Sequence, residues 1–418
     1  MKDQSEAPLK GYRILDLTTE VGLLCSKLLG DLGADVIKIE KPGGDDARKQ
    51  GPFHGNNRHP ENSLFWWAFN TNKRGITLDI TKPEGQYLFK RLAGASDIMV
   101  ESYPPGYLDE LGLGYEAIRQ ISPGIIYVSI THYGQTGPDA FAPASDLTLV
   151  ARCGWMFLCG DPDRPPVRVS LPQAYVNAGA EAAMATSIAL MHRQLTGEGQ
   201  RLDVSVFESL GLATFHSVPF YYLNKTILKR TGAFRGGFSE SVNVRQIYGC
   251  ADGLVVFALI GGVSGARNNK AMTRWLTEEG HPDPCMNDVD WDEFDLAKAS
   301  AVQVRQIEDH IGRFFSTRTK KHIHEQALAR GLMIGIISGV DDVCNSTQLA
   351  SRMAWDSIKL EPDGQEIRVP DGFVKFSDAA CGLWRRWPMI GEHNEEVYEG
   401  EVGLSRMDLV RLRDDGII

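Results

Sequence analysis

The chain has 418 residues, 43% of them hydrophobic and 23% charged, with a formal net charge of −10; this is a globular composition with room for two or more domains, and its acidic balance excludes a surface for non-specific nucleic-acid binding. Seven cysteines (Cys25, Cys153, Cys159, Cys250, Cys285, Cys344, Cys381) with no CxxC spacing point to reduced thiols in a cytoplasmic protein. The polar N-terminal stretch has no signal-peptide pattern, and no uncharged apolar run is long enough to span a membrane.

In chain order, Tyr12–Leu17 is a short run suited to a strand. Leu23–Leu32 has helical apolar spacing and stops at Gly33, and Asp35–Ile39 is a second strand. Strand, helix and strand at this spacing mark a right-handed βαβ unit on a parallel sheet. The alternation continues with a strand at Ile76–Asp79, a helix from Pro83 to Leu92 and a strand at Asp97–Glu101. A helix at Tyr115–Ile121, a strand at Ile125–Ile130, a long small-residue helix from Tyr175 to Leu195 and a strand at Arg201–Val206 follow. Past about Asn224 the character changes: Gly232, Gly236 and Gly237 cluster, then come a strand pair around Tyr248–Ala258 and charged helices to about Arg330. The expected organisation is a large Rossmann-like domain over residues 1–205 to which 335–418 returns, a linker at 206–228, and a smaller α+β domain at 229–334.

Absent motifs narrow the chemistry. No GxGxxG follows the first strand, and there is no phosphate-binding P-loop and no GxSxG elbow. His322 and His324 beside Glu325 lack a further ligand at metal spacing and read as an exposed helical face, so no metal is expected.

Several stretches together resemble the class III CoA-transferase family, which includes formyl-CoA and carnitine CoA-transferases and related racemases. They are Ile14-Leu15-Asp16-Leu17-Thr18, then the run from Leu28 to Asp45 containing Gly33-Ala34-Asp35-Val36-Ile37-Lys38-Ile39-Glu40-Lys41-Pro42-Gly43. Next come Asn72-Lys73-Arg74-Gly75, Asp109-Glu110-Leu111-Gly112, Gly134-Gln135-Thr136-Gly137-Pro138, Thr196-Gly197-Glu198-Gly199-Gln200 and Ile390-Gly391-Glu392-His393-Asn394. They run in family order across nearly the whole chain. The resemblance implies ring-shaped monomers threaded through each other as an interlocked dimer. It also implies a CoA thioester as substrate, with no permanently bound cofactor.

In that family an aspartate carboxylate attacks the donor thioester and later carries CoA on its own acyl carbon, which is covalent catalysis by a carboxylate. The resemblance places this aspartate at the start of the small-residue helix, where the present chain reads Pro172-Gln173-Ala174-Tyr175. Tyr175 thus stands in the aspartate position, and a phenol has no acyl carbon to hold CoA. Fallback carboxylates are Asp146, matching a secondary acidic position of the family, and Glu181, six residues along the helix and roughly 9 Å away. Asp161 and Asp163 read as solvated turn residues, and Trp155, Phe157 and Tyr175 as buried core, with shaping a pocket as the competing reading.

The CoA contacts implied by the family are also altered. Gly22-Leu23-Leu24 stands where many relatives read Ala-Gly-Pro, Ser102-Tyr103 replaces Asn-Phe, Glu110 replaces a base, and Pro143 replaces a lysine. Lys41, Lys73, Arg74 and Tyr103 remain as candidate CoA-binding residues, a solvated turn being the competing reading of Lys73 and Arg74. A racemase would need a histidine before Asp146, where Ser145 stands. The expectation is a subunit that is inactive alone, in a heterodimer or heterotetramer with a homologous catalytic subunit. That complex would move CoA from a donor such as succinyl-CoA to a dicarboxylate, benzylsuccinate among them. The alternatives are a self-sufficient enzyme and a non-enzymatic binding or regulatory protein; neither nucleic acid nor membrane is expected as a partner.

Overall fold

The computed structural model describes residues 6–235, 242–360 and 364–418. Gly236 and Gly237 of the expected glycine cluster lie outside the described residues. The chain forms two compact units: one comprises 1–155, 168–216 and 347–418, the other 156–167 and 217–346.

The first unit is built on a six-stranded sheet, β1 Arg13–Leu17, β2 Asp35–Glu40, β3 Lys73–Thr77, β4 Ile98–Glu101, β5 Ile126–Thr131 and β6 Gln200–Ser205. Its order is β3-β2-β1-β4-β5-β6 and every pairing is parallel. Helices α1 Leu23–Asp31, α2 Pro83–Gly94, α3 Tyr115–Ile121, α4 Asp146–Arg152 and α5 Ala174–Thr196 lie in the segments between strands. β3, β4 and β5 are buried at every position, as parallel strands covered on both faces must be. One core contains Leu15, Ile37, Ile76, Leu88, Phe89, Met99 and Tyr127. Gly179 sets the fit of α5 on α1: a Cβ there would lie 2.9 Å from Leu24 Cβ.

The sheet reverses its strand order between β1 and β4. Open α/β sheets bind ligands outside the carboxyl ends of their strands at such a switch point. The chain leaving β1 is held there by a fully buried ionic cluster. Asp16 Oδ2 accepts from Lys73 Nζ at 2.8 Å and from Ser26, while its Oδ1 accepts the Thr18 N–H at 2.9 Å. Lys38 Nζ lies 3.7 Å from the same carboxylate and donates to the Thr18 carbonyl. Burial pushes the Asp16 carboxyl up, but the Lys73 and Lys38 charges outweigh it and hold Asp16 below the usual range.

This arrangement corrects two expectations. The third strand begins at Lys73 rather than at Ile76, because Lys73–Thr77 pairs in register with Val36–Glu40. Lys73 and Arg74 are therefore neither a solvated turn nor free for an anion. Lys73 is 0% exposed and its ammonium is divided among Asp16, the Leu23 carbonyl and Asn70. Arg74 is bound to Asp35, Glu396 and Glu401. The family-like Asn394 turns out to be a clamp, receiving the Thr77 N–H at 2.9 Å and donating to Thr77 Oγ1 at 2.8 Å. With the stacking of Trp387 on Trp67, it fastens the C-terminal segment to the sheet.

The second unit holds the antiparallel strands Ile247–Cys250, Gly253–Val256 and Gly335–Ile336. They pack with the helices Gly262–Glu278, Ala301–Ser316 and Lys320–Arg330 around Trp275, Phe314 and Phe315. Asp161 and Asp163 are exposed, as expected for a turn, but Phe157 is 46% exposed and is no core residue. Among the described residues no helix is long and apolar enough to cross a membrane, and no cluster of His, Cys, Asp and Glu could hold a metal ion.

Candidate functional site

The carboxyl ends of β1, β4 and β5 open onto a cavity of about 460 Å³ within the first unit, a volume typical of small-ligand sites. The segment after β1 contributes Thr19, Glu20 and Val21; that after β4 contributes Ser102, Tyr103 and two prolines; and β5 with the residue after it contributes Ile130, Thr131 and His132. Phe141 and Pro143 come from the loop that follows, and Tyr175 from the first turn of α5.

Each wall is fixed by backbone hydrogen bonds. The Thr19 N–H donates to Ser102 Oγ at 2.7 Å, tying the β1 and β4 ends across the switch point. The Tyr103 N–H donates to Glu101 Oε2 at 2.8 Å. Glu101 is 4% exposed, and burial, opposed by the Ser129 hydroxyl and that N–H, pushes its carboxyl up to about 7. At the far wall Asp146 Oδ1 receives the Ala174 N–H at 2.8 Å, an acidic cap on the start of α5 that aims Tyr175. Tyr175 is 9% exposed, and its hydroxyl lies 3.3 Å from His132 Nε2. Burial lowers the His132 pKa, which keeps its imidazole neutral at neutral pH. Burial, together with the Glu20 and Asp146 charges, raises the Tyr175 phenol further above neutrality.

Of the sequence-expected residues, Tyr103 and Tyr175 line the cavity. Lys41 does not: it is exposed beyond β2 and pairs with Asp46 at 3.0 Å. Lys73 and Arg74 serve the sheet, as described. Of the fallback carboxylates, Asp146 is occupied by the Ala174 N–H and lies 3.9 Å from Arg168. Glu181 lies further along α5 and is not part of the cavity wall. Glu20, Thr131 and His132 were not singled out from sequence. Glu20 carries the one carboxylate among the lining residues, has no hydrogen bond or ion pair among the described residues, and is joined by no lysine or arginine. Burial and the nearby Asp45 and Asp146 raise its pKa. The position of Glu20 three residues past the strand end is the signal that would have pointed to it.

A parallel sheet with a site at this switch point suits many chemistries, and the comparisons narrow them. The family model described as CoA-transferase family III matches residues 9–394. The chain is 33% identical over 390 residues, 92% of each chain, to the succinyl-CoA:(R)-benzylsuccinate CoA-transferase subunit BbsE of Thauera aromatica. It is 28% identical over 413 residues, 98% of each chain, to the succinyl-CoA–L-malate CoA-transferase beta subunit of Chloroflexus aurantiacus. Among solved structures, a CAIB/BAIF family protein from Brucella suis superposes with a TM-score of 0.79 at 27% identity, covering 94% of this chain and 99% of that one. The chain belongs to CoA-transferase family III.

Proposed function

We propose that this chain is the supporting subunit of a cytoplasmic CoA-transferase that moves CoA from an acyl-CoA such as succinyl-CoA to a dicarboxylate of the benzylsuccinate kind. The carboxylate nucleophile would come from a homologous, aspartate-bearing chain. The observation that carries this reading is Tyr175 itself. It occupies the cavity wall at the start of α5, where the family resemblance puts the aspartate, and its phenol lies 3.3 Å from His132 Nε2. A phenol could take an acyl group but has no carboxyl carbon on which CoA thiolate could form a thioester. The cavity wall adds a second argument: its single charge is negative, which opposes an approaching succinyl carboxylate or CoA phosphate.

Two further observations support a heteromer. Relatives that match nearly the full chain are named as subunits. The exposed apolar stripe Met184, Ile188, Met191 and Leu195 on α5, with Leu195 86% exposed, is the kind of face that an interlocked partner would bury.

Glu20 gives the self-sufficient reading one specific foothold, since it brings a carboxylate to the same cavity. Intact-mass measurement after incubation of the purified chain with succinyl-CoA separates the two. The supporting-subunit reading predicts no covalent CoA adduct on this chain. An adduct lost in Glu20→Gln would establish Glu20 as the nucleophile instead. Tyr175→Asp alone is expected to show no transfer from succinyl-CoA, because the restored carboxylate would sit in a cavity without a cation; turnover by that variant would contradict this account of the site.

A further inference from the structure

The cavity contains one pair of side chains to which CoA transfer gives no role. The Tyr175 hydroxyl lies 3.3 Å from His132 Nε2, and both side chains line the same cavity. Tyr175 keeps 9% of its surface exposed and His132 is half-buried, so neither is closed off from that space. Their rings are tilted, with centroids 5.9 Å apart. A hydroxyl within hydrogen-bond reach of a neutral imidazole is the arrangement that activates an oxygen nucleophile. In the tautomer with its proton on Nδ1, His132 offers Nε2 as the acceptor of the Tyr175 O–H. Burial keeps the ring neutral and so able to take a proton. The phenol needs such a base, because burial and the Glu20 and Asp146 charges raise its pKa and make free phenolate scarce at neutral pH. The rest of the wall selects the acyl donor. It holds one carboxylate, no lysine or arginine, and the apolar surfaces of Ile130, Phe141 and Pro143. An uncharged acyl group fits this wall, whereas Glu20 opposes an anionic one.

We propose that Tyr175 and His132 act as nucleophile and general base in the hydrolysis of small uncharged carboxylic esters through an acyl-tyrosine intermediate. In the first half-reaction the Tyr175 oxygen bonds to the ester carbonyl carbon as its proton passes to His132 Nε2. The carbon–oxygen bond to the alcohol then breaks, and the alcohol leaves with that proton. In the second half-reaction a water molecule attacks the carbonyl carbon of the tyrosyl ester and gives a proton to His132 Nε2. That proton passes on to the departing Tyr175 oxygen, which restores the phenol and frees the acid. The charge pattern suits both halves. The acyl-tyrosine is neutral, so no phenolate persists beside Glu20 and Asp146. The released carboxylate meets the Glu20 charge and is repelled from the wall.

This activity goes beyond the supporting-subunit reading and does not depend on it, because the pair lies within one unit of one chain and needs no CoA. The test is incubation of the full-length chain with p-nitrophenyl butyrate at neutral pH, with no partner present. Release of p-nitrophenol is followed, and the acid-quenched chain is read by intact mass and peptide mapping. A burst of p-nitrophenol and one butyryl group on Tyr175 are expected. Tyr175→Phe should lose both. His132→Gln keeps a hydrogen-bond acceptor for the phenol but cannot take its proton, and should acylate about 100-fold more slowly. A purely structural role for His132 would leave that rate unchanged. Absence of a butyryl group on Tyr175 in the unaltered chain would overturn the proposal, whatever the variants do. So would an equal burst in Tyr175→Phe, or acylation of His132→Gln at the unaltered rate. Whether an aspartate-bearing partner exists is read separately, from CoA transfer in the assembled complex.

Discussion

Lys73 shows how far one side chain can be misread without its neighbours. In sequence it sits in Asn-Lys-Arg-Gly, a pattern suited equally to an exposed turn and to an anion site. In the structure its ammonium neutralises Asp16 at 0% exposure. Removing one partner of a buried ion pair strands the other charge. Lys73→Met is therefore expected to lower stability by about 3 kcal/mol, read from the denaturant midpoint; an unchanged midpoint would show that Lys38 alone satisfies Asp16. Glu101 supplies a pH-dependent term of the opposite kind. Folding raises its carboxyl from an ordinary 4.5 to about 7, chiefly by burial. The folded chain then binds more protons than the unfolded chain between those values, so the Glu101 contribution is fully present below pH 4.5 and is lost as pH rises toward 7. Unfolding free energies measured across this window should carry a falling component of about 3 kcal/mol that disappears in Glu101→Gln. If wild type and variant ran parallel, the assigned shift would be wrong. That Tyr175 lines the cavity fits its singling out in sequence, where flanking motifs mark the start of the small-residue helix. Glu20, Thr131 and His132 were not singled out, because they follow or end different strands and carry no shared local pattern.

At the scale of elements, the alternation of strands and helices was legible because apolar runs and helical spacing are local properties. Tyr115–Ile121 was expected as a helix and is one over those same residues, and Leu23–Leu32 differs from α1 by its last residue. Strand order is not local. The position of the cavity follows from β1 lying between β2 and β4, and only that order brings residues 19–21, 102–105 and 130–132 to one opening. The small residues of α5 serve the same end by letting the helix that bears Tyr175 approach α1. Gly179→Val would place its Cβ 2.9 Å from Leu24 Cβ and 3.2 Å from the Cys25 nitrogen. It should destabilise the fold by about 1–3 kcal/mol, the usual range for overpacking. A variant with wild-type melting behaviour would show that α1 and α5 adjust freely at this contact.

For the whole molecule, the family fold is retained, and the supporting-subunit proposal takes the reactive centre to be rebuilt. Asp16, Lys73 and Asn394 lie in family-like stretches and all brace the sheet, whereas the cavity at its switch point has Tyr175, Glu20 and His132 in place of a site equipped for anionic substrates. In the proposed heteromer the scaffold would form the interface and the partner would supply the chemistry. The measurement that tests this most directly is the native mass and subunit composition of the complex isolated from its own cells. The account predicts this chain together with a second, similar-sized chain that carries an aspartate at the position matching Tyr175. A complex containing this chain alone, and transferring CoA, would contradict it.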